Sequence, residues 1–329
     1  MNRIHSDSVD QRLLGILQAR FPLTSRPYAD IGLGLDVAED EVIQRIDQMK
    51  KKGLVRQISP VLHARRLGYK TTLVAMRVRE TKLGRAAKLL AEHPRVSHAY
   101  ERDHHFNLWF TLAVPDMADI DAELLRLADI TEAETAFDLS MVKVFKLRTY
   151  FRPEGDDQPE VPASTPDSNV HQRACLSSVD RKVVNELQQD LPLISRPFAE
   201  MSSRLRMDEG RFLTLCQSLL LRGIIRRYGA SVNHRGIGFA ANAMTCWAVP
   251  AEKVVVIAEK LVSLKQVSHC NERKTNPEWH YNLFAMIHGH TKKQCQEIAD
   301  KVSAETGLTD YVLLFSTKEF KKTRVIYQV

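Results

Sequence analysis

Histidine, arginine and asparagine recur at matched places in two stretches of this chain. The first is Ser97-His-Ala-Tyr-Glu-Arg-Asp-His-His-Phe-Asn-Leu-Trp-Phe110 and the second is Ser268-His-Cys-Asn-Glu-Arg-Lys-Thr-Asn-Pro-Glu-Trp-His-Tyr-Asn-Leu-Phe284. Both open with Ser-His, run through Glu-Arg and, after an irregular turn, close on His-aromatic-Asn-Leu-aromatic. His105-Phe-Asn107 thus answers His280-Tyr-Asn282. Imidazole moves protons near neutral pH. The planar guanidinium grips carboxylates through paired hydrogen bonds. The parts before and after the turn read as strands of a hairpin, where alternate residues share a face. His98, Tyr100 and Arg102 then stand together, as do His269, Asn271 and Arg273. Such a polar group is unusual in strands that must help build a core, and it reads as a ligand site. A lone hairpin histidine is more often a surface residue, but recurrence in two units favours function. The second turn is longer, with Lys274 and Thr275 where the first has Asp103 and His104, so the two sites read as non-equivalent.

These hairpins sit inside a larger repeat. Asp10, Leu17, Pro22, Ser25-Arg26-Pro27 and Leu35 match Asp180, Leu187, Pro192, Ser195-Arg196-Pro197 and Leu205 at an offset of 170. Gly53, Arg56 and Gly68 match Gly223, Arg226 and Gly238. A tandem repeat of one unit follows. Each unit starts with three short apolar-faced helices, the first from Val9 to Ala19, followed by short strands around Val55–Ile58 and Pro60–Leu62 in unit one and from Ile224 to Tyr228 in unit two. Three helices and a hairpin predict a winged helix-turn-helix. The remainder of each unit reads strand, helix, strand, strand, helix, strand. That order predicts an α+β ferredoxin-like (βαββαβ) sandwich with both helices on one face. The open sheet faces need cover, so the two copies are expected to pair as an internal pseudo-dimer. The expected boundaries are 8–66 and 176–236 for the helix-turn-helix domains, and 67–151 and 237–329 for the ferredoxin-like domains. The stretch 152–175, rich in Pro and acid through Asp167, reads as a flexible linker.

Composition narrows the partners. A formal charge of +7 over 329 residues favours an anionic ligand without naming it. The five cysteines, all in the second half, form no CxxC pair, and reduced thiols in a cytoplasmic protein are expected. No uninterrupted apolar run approaches membrane-spanning length. His288-Gly-His290 has metal-like spacing but reads as an exposed pair at a strand end.

The two-domain frame resembles the Lrp/AsnC regulators, with Gly32 to Val55 similar to their recognition-helix segment. Those proteins usually carry a Gly-x-x-Asp turn in the second hairpin, and neither turn here has the glycine. Arg-x-His-x-Phe/Tyr-Asn-Leu-Trp/Phe on this frame instead resembles the siroheme decarboxylases in their fused form. Ile225-Arg-Arg-Tyr-Gly-Ala230 and His234 to Gly238 are similar to that family too. The resemblance implies a non-oxidative carboxy-lyase that removes two acetate carboxyl groups from siroheme, in haem d1 or alternative haem formation.

Siroheme is a flat apolar macrocycle edged with carboxylates. Its site needs apolar walls, for which Phe106, Trp109, Tyr281 and Phe284 are candidates, and a basic rim. Loss of carbon dioxide leaves electrons on carbon, and an acid must deliver a proton. On this implied chemistry His104, His105 and His280 are expected to transfer protons or contact the iron. His98, Tyr100, Arg102, Asn107, His269, Arg273 and Asn282 are expected to bind or orient the substrate. The wing residues Arg56, His63, Arg226, Arg227 and His234 complete the set. No added cofactor is expected, since the iron arrives with the substrate. Expected partners are siroheme and its decarboxylated products, with a homo-oligomer or haem d1 pathway enzymes left open and no membrane.

The rival reading is a DNA-binding regulator of Lrp/AsnC type, possibly sensing a tetrapyrrole. A non-catalytic haem carrier is a third. Against DNA stand Asp36, Glu39, Asp40 and Glu41 at the start of the third helix, which would repel a phosphate backbone. The matching helix of unit two, with Phe212, Leu213, Leu215, Cys216, Leu219, Leu220 and Leu221, is expected to be buried rather than laid in a groove.

Overall fold

Apolar residues at helical spacing build the N-terminal module of each unit. In the computed structural model, which describes residues 8–19, 21–147, 173–232 and 241–329, these are helices α1 (Ser8–Ala19), α2 (Pro27–Leu35) and α3 (Glu39–Lys51). Their counterparts are α6 (Ser178–Leu187), α7 (Pro197–Arg204) and α8 (Glu209–Leu221). Pro27 and Pro197 occupy the first turn of α2 and α7, where a missing N–H costs nothing. A capping box of Ser177 and Asp180 starts α6. Gly53 and Gly223, at φ 68° and 66°, follow α3 and α8 in the left-handed conformation glycine tolerates best.

The wing differs from expectation. Among the described residues the wing of neither unit forms a hairpin of its own. Each gives one strand, β1 (Val55–Leu62) and β6 (Ile225–Val232), and the two pair antiparallel across the units, with Ile58 opposite Ala230. A strand this short gains more from a partner of its own length than from folding back on itself. Gly229 lets β6 pass close to α1, because a Cβ there would meet the Leu17 carbonyl at 2.5 Å. Further ties cross the same boundary. The Ile58 N–H donates to Asp190 (2.9 Å), Lys50 pairs with Asp190 (2.7 Å) and the Tyr28 hydroxyl donates to the Pro192 carbonyl (2.8 Å). Both helical modules therefore share one core, running from Leu13 and Tyr28 through Val55 and Ile58 to Phe198, Phe212 and Tyr228.

Two of the acids at the start of α3 are already paired, Glu39 with Arg26 and Glu41 with Arg45. The expectation that α8 is buried around its girdle needs correction. Phe212, Cys216 and Leu219 are buried, but Leu221 is 90% exposed. One face of the helix suffices to fill the shared core.

The ferredoxin-like halves follow in the expected order. The first contains β2 (Tyr69–Arg77), α4 (Glu80–Glu92), β3 (Val96–Arg102), β4 (Leu108–Pro115), α5 (Ile120–Thr131) and β5 (Thr135–Leu147). The second contains β7 (Ala241–Trp247), α9 (Val254–Ser263), β8 (Val267–Arg273), β9 (Leu283–Gly289), α10 (Lys292–Thr306) and β10 (Tyr311–Lys322). Within each half the strand order is that of a split βαβ fold. The pseudo-dimer goes further than one face covering another. β5 pairs with β8 and β10 pairs with β3, so the two sheets close into a barrel in the order β10-β3-β4-β2-β5-β8-β9-β7. Closure leaves no unpaired sheet edge. The helices pack outside, with Leu90 of α4 over Val74 and Leu112 in one half and Ile257 of α9 over Ala243 and Ile287 in the other. The opposite strand faces, with Leu73, Ala75, Trp109, Leu139, Met244, Cys246, Phe284, Met286 and Leu314, line the lumen.

Candidate active site in the barrel lumen

Strand alternation decides which hairpin residues reach the lumen. On β3, Val96 and Ala99 pack under the helices, and a register shift after Val96 turns His98, Tyr100 and Arg102 inward. On β8, Val267 and Cys270 pack outward, so His269, Asn271 and Arg273 face inward. The two sets answer each other across the pseudo-twofold axis. Each guanidinium donates to the far unit, Arg102 to the Leu314 carbonyl (2.9 Å) and Arg273 to the Leu139 carbonyl (2.7 Å). Arg102 also lies 5.2 Å from the Tyr100 ring centre and Arg273 lies 5.6 Å from that of Phe284.

The lumen is basic and under-satisfied. Burial brings both arginines down to about 10, so they stay charged at neutral pH, and no carboxylate acts on either. The Nε atoms of Arg102 and Arg273 and the Oδ1 of Asn271 are buried without a hydrogen-bond partner. Buried polar atoms are normally paired, and buried charges are costly without a counter-charge. His98 and His269 lie within electrostatic reach of each other and of Lys322 on β10. Burial first, and then Lys322, holds both imidazoles down to about 4. His98, Tyr100, Thr111, His269, Arg273, Leu73 and Met286 nevertheless keep partial exposure although a closed barrel surrounds them. Solvent-accessible space therefore runs among them.

One end of this space is closed by aromatic rings. Trp279, from the longer second turn, is 2% exposed and sits among Phe106, Trp109, Phe137, Tyr281 and Phe284 at centroid distances of 5.1 to 6.5 Å. His104 packs edge-on against the same ring at 5.5 Å.

Several expected site residues fall elsewhere. His105 is exposed in the first turn, and His280 is exposed and bonded to Asp310 at 2.8 Å. Their exposure places both at the surface of the turns, and His104 packs on Trp279. The proton-transfer role expected for these three does not fit their placement. Asn107 and Asn282 both spend their amides on the backbone. Asn107 accepts from the Val78 N–H (3.0 Å) and donates to the Val78 carbonyl (2.7 Å). Asn282 treats Val249 the same way, at 2.8 Å for both bonds. Each amide is a clamp that fixes the strand leaving the turn. Asn107→Ala and Asn282→Ala are each expected to cost about 1–3 kcal/mol in urea unfolding, because two backbone groups lose their partners.

In the wing, Arg56 donates to Glu319 (2.6 Å) and the Lys322 carbonyl (2.8 Å), tying β1 to β10 rather than waiting for a carboxylate. His63 is buried with neither ring nitrogen bonded, beside Arg226 and Arg66. Arg56 lies close enough to the lumen to act on His98, while Arg226 and Arg227 lie on the β1–β6 ribbon. His234 and the domain boundary at 236–237 lie outside the described residues, as do the boundary at 151–152 and residues 152–172 of the expected linker.

The depressed imidazoles predict acid sensitivity. Unfolded histidine binds a proton near pH 6.5, whereas folded His98 and His269 resist until about 4. The unfolded state thus gains protons first, and stability falls as pH drops from 6.5 towards 4, by at most about 3 kcal/mol per histidine. Unfolding midpoints across that window should drop steeply, and His98→Gln with His269→Gln should flatten the slope.

Sequence reading missed Lys322, Asn242, His288, Ser268 and Trp279 as parts of the site. Only the repeated Ser-His pair offered a signal for Ser268.

Comparison with known proteins now bears on the geometry. A profile described as the siroheme decarboxylase NirDL-like HTH domain matches residues 10–56 and 180–226, and one described as the AsnC-like ligand-binding domain matches 66–146 and 236–321. A siroheme decarboxylase of Hydrogenobacter thermophilus is 35% identical over 96% of this chain and 94% of that protein. This chain belongs to the siroheme decarboxylase family. Among other members, the NirDL subunit of Paracoccus denitrificans is 29% identical over 96% of each chain. The beta subunit of Methanosarcina barkeri is 39% identical over 46% of this chain and 99% of its own. A crystal structure of the siroheme decarboxylase NirDL superposes with a TM-score of 0.73 at 33% identity, covering 98% of this chain and 95% of that one. The same figures hold for NirDL in complex with an iron-uroporphyrin III analogue. The DNA-regulator alternative gives way to this family, of which the Hydrogenobacter and Paracoccus members share the frame over 96% of the chain.

Proposed function

We propose that this decarboxylase-family protein removes the two acetate carboxyl groups of siroheme, giving didecarboxysiroheme, in haem d1 or alternative haem biosynthesis. The observation that carries the reading is a lumen with two buried guanidiniums on which no carboxylate acts and a buried amide, walled by apolar side chains, while Glu319 opposite Tyr100 is already held by Arg56. A flat macrocycle rimmed with carboxylates supplies what that lumen lacks. Arg102 and Arg273 hold carboxylates that stay, through charge-assisted bonds. The departing acetate is better left poorly solvated against Trp109, Met286 and Leu314.

In each round the bond from the acetate methylene to its carboxylate breaks and carbon dioxide leaves. The electron pair passes to the methylene carbon and the conjugated ring. A proton then closes the C–H bond of the new methyl group. The reaction is a non-oxidative carbon–carbon cleavage, which needs no redox cofactor, and the iron is part of the substrate. His98 and His269 replace the turn histidines as candidates for the proton. Among the described residues no helix is long and apolar enough to cross a membrane.

Seating the macrocycle requires the Trp279 ring to withdraw. Anaerobic titration with siroheme is therefore expected to saturate at one equivalent per chain and to quench tryptophan fluorescence. Titration without saturation, or quenching unaltered in Trp279→Phe and Trp109→Phe together, would count against a lumen site.

A further inference from the structure

The two lumen histidines are not wired alike. Ser97 bonds His98 Nδ1 at 2.8 Å and Ser268 bonds His269 Nδ1 at 2.6 Å, as the repeat requires. In the second unit the chain continues. Ser268 Oγ lies 2.7 Å from His288 Nε2, and His288 Nδ1 lies 2.5 Å from Asn242 Oδ1. Asn242 faces His288 in the β7–β9 register, and the matching pair in β2–β4 is Thr71 and Ala113. Unit one thus has no imidazole in that position. His288 was expected to be an exposed partner of His290. It is 9% exposed, while Ser268 is wholly buried.

The hydrogen positions follow from the chemistry of the groups. Asn242 Oδ1 only accepts, so His288 Nδ1 carries a hydrogen. With His288 neutral, its Nε2 accepts from the Ser268 hydroxyl, which in turn accepts from His269 Nδ1–H. His269 then presents a bare Nε2 to the lumen. With His288 protonated, every hydrogen shifts by one bond. His288 Nε2–H donates to Ser268, Ser268 donates to His269 Nδ1, and His269 carries its hydrogen on Nε2.

Building on the decarboxylase reading, we propose that Asn242, His288 and Ser268 form a proton relay that makes His269, and not His98, the acid of the reaction. The charged relay is the loaded state. When the methylene carbon takes the Nε2 proton of His269, Nδ1 takes the Ser268 proton and Ser268 takes that of His288. The relay ends neutral, in the arrangement described first, and solvent reloads His288 before the second carboxylate leaves. The positive charge rests on His288 at the barrel end. Buried His269, which resists protonation, never has to hold it alone. His269 touches substrate, whereas Ser268, His288 and Asn242 act through it as positioning residues.

The test compares Ser268→Ala and His288→Gln with the unaltered chain, measuring siroheme affinity by titration and kcat under anaerobic conditions. Each variant is expected to lose about 100-fold in kcat, the scale of a lost proton donor, with affinity within about threefold. Added imidazole should partly restore His288→Ala and leave Ser268→Ala slow, a readout that a packing role would not give. Wild-type kcat in both variants, or a loss of affinity as large as the loss of rate, would overturn the relay. If Ser268→Ala does not fold, the imidazole response of His288→Ala decides alone. An unaltered chain that binds siroheme but releases no carbon dioxide would instead refute the decarboxylase reading itself.

Discussion

Replacing Arg102 and Arg273 together by methionine is expected to weaken siroheme binding by about a hundredfold or more while leaving the fold intact. Each guanidinium forms charge-assisted bonds to a carboxylate worth about 1.5–3 kcal/mol, so losing both removes most of the charge recognition. Stability should move little. In the free protein the two charges are buried without an acid partner, and apolar replacement of buried charges is often neutral or stabilising by about 1–4 kcal/mol. Against that stands the loss of the bonds to the Leu314 and Leu139 carbonyls, about 1 kcal/mol each. Titration and urea unfolding on one preparation separate the two effects. Unchanged affinity would remove the arginines from the site. A collapse in stability would make them structural.

His269→Gln is expected to reduce kcat by about 100- to 10,000-fold with little change in affinity, the range for loss of a positioned acid. His98→Gln should act mainly on affinity, because its serine leads to no second imidazole. His105→Ala and His280→Ala should stay within about twofold, as exposed residues away from the chemistry usually do. Equal losses in His98→Gln and His269→Gln would mean that both units deliver protons.

Much of this was legible in the residues, and the physical reason is periodicity. Alternation along a strand placed His98, Tyr100 and Arg102 on one face without knowledge of the partner strand. The same holds for His269 and Arg273. The repeat of helix and strand order gave two ferredoxin-like halves on a helix-turn-helix frame. What periodicity cannot give is the identity of a distant neighbour. β10 meets β3 across more than two hundred residues, so Lys322 arrives beside His98 unannounced. Asn107 reads as a ligand residue until Val78 is seen opposite it. Turn residues have no fixed face, which is why His105 and His280 shared a motif with the lumen but not its interior. The wing read as a hairpin because each strand hides its partner in the other unit. His288 looked exposed because its neighbours Ser268 and Asn242 come from two other strands.

The most direct test of the central claim is the mass of the product after anaerobic incubation of the purified chain with siroheme, separated by chromatography. Two successive losses of carbon dioxide, ending at didecarboxysiroheme and sharply slowed in His269→Gln, are predicted. Siroheme recovered unchanged from a chain that has visibly bound it would contradict the account, leaving a tetrapyrrole carrier or sensor in its place.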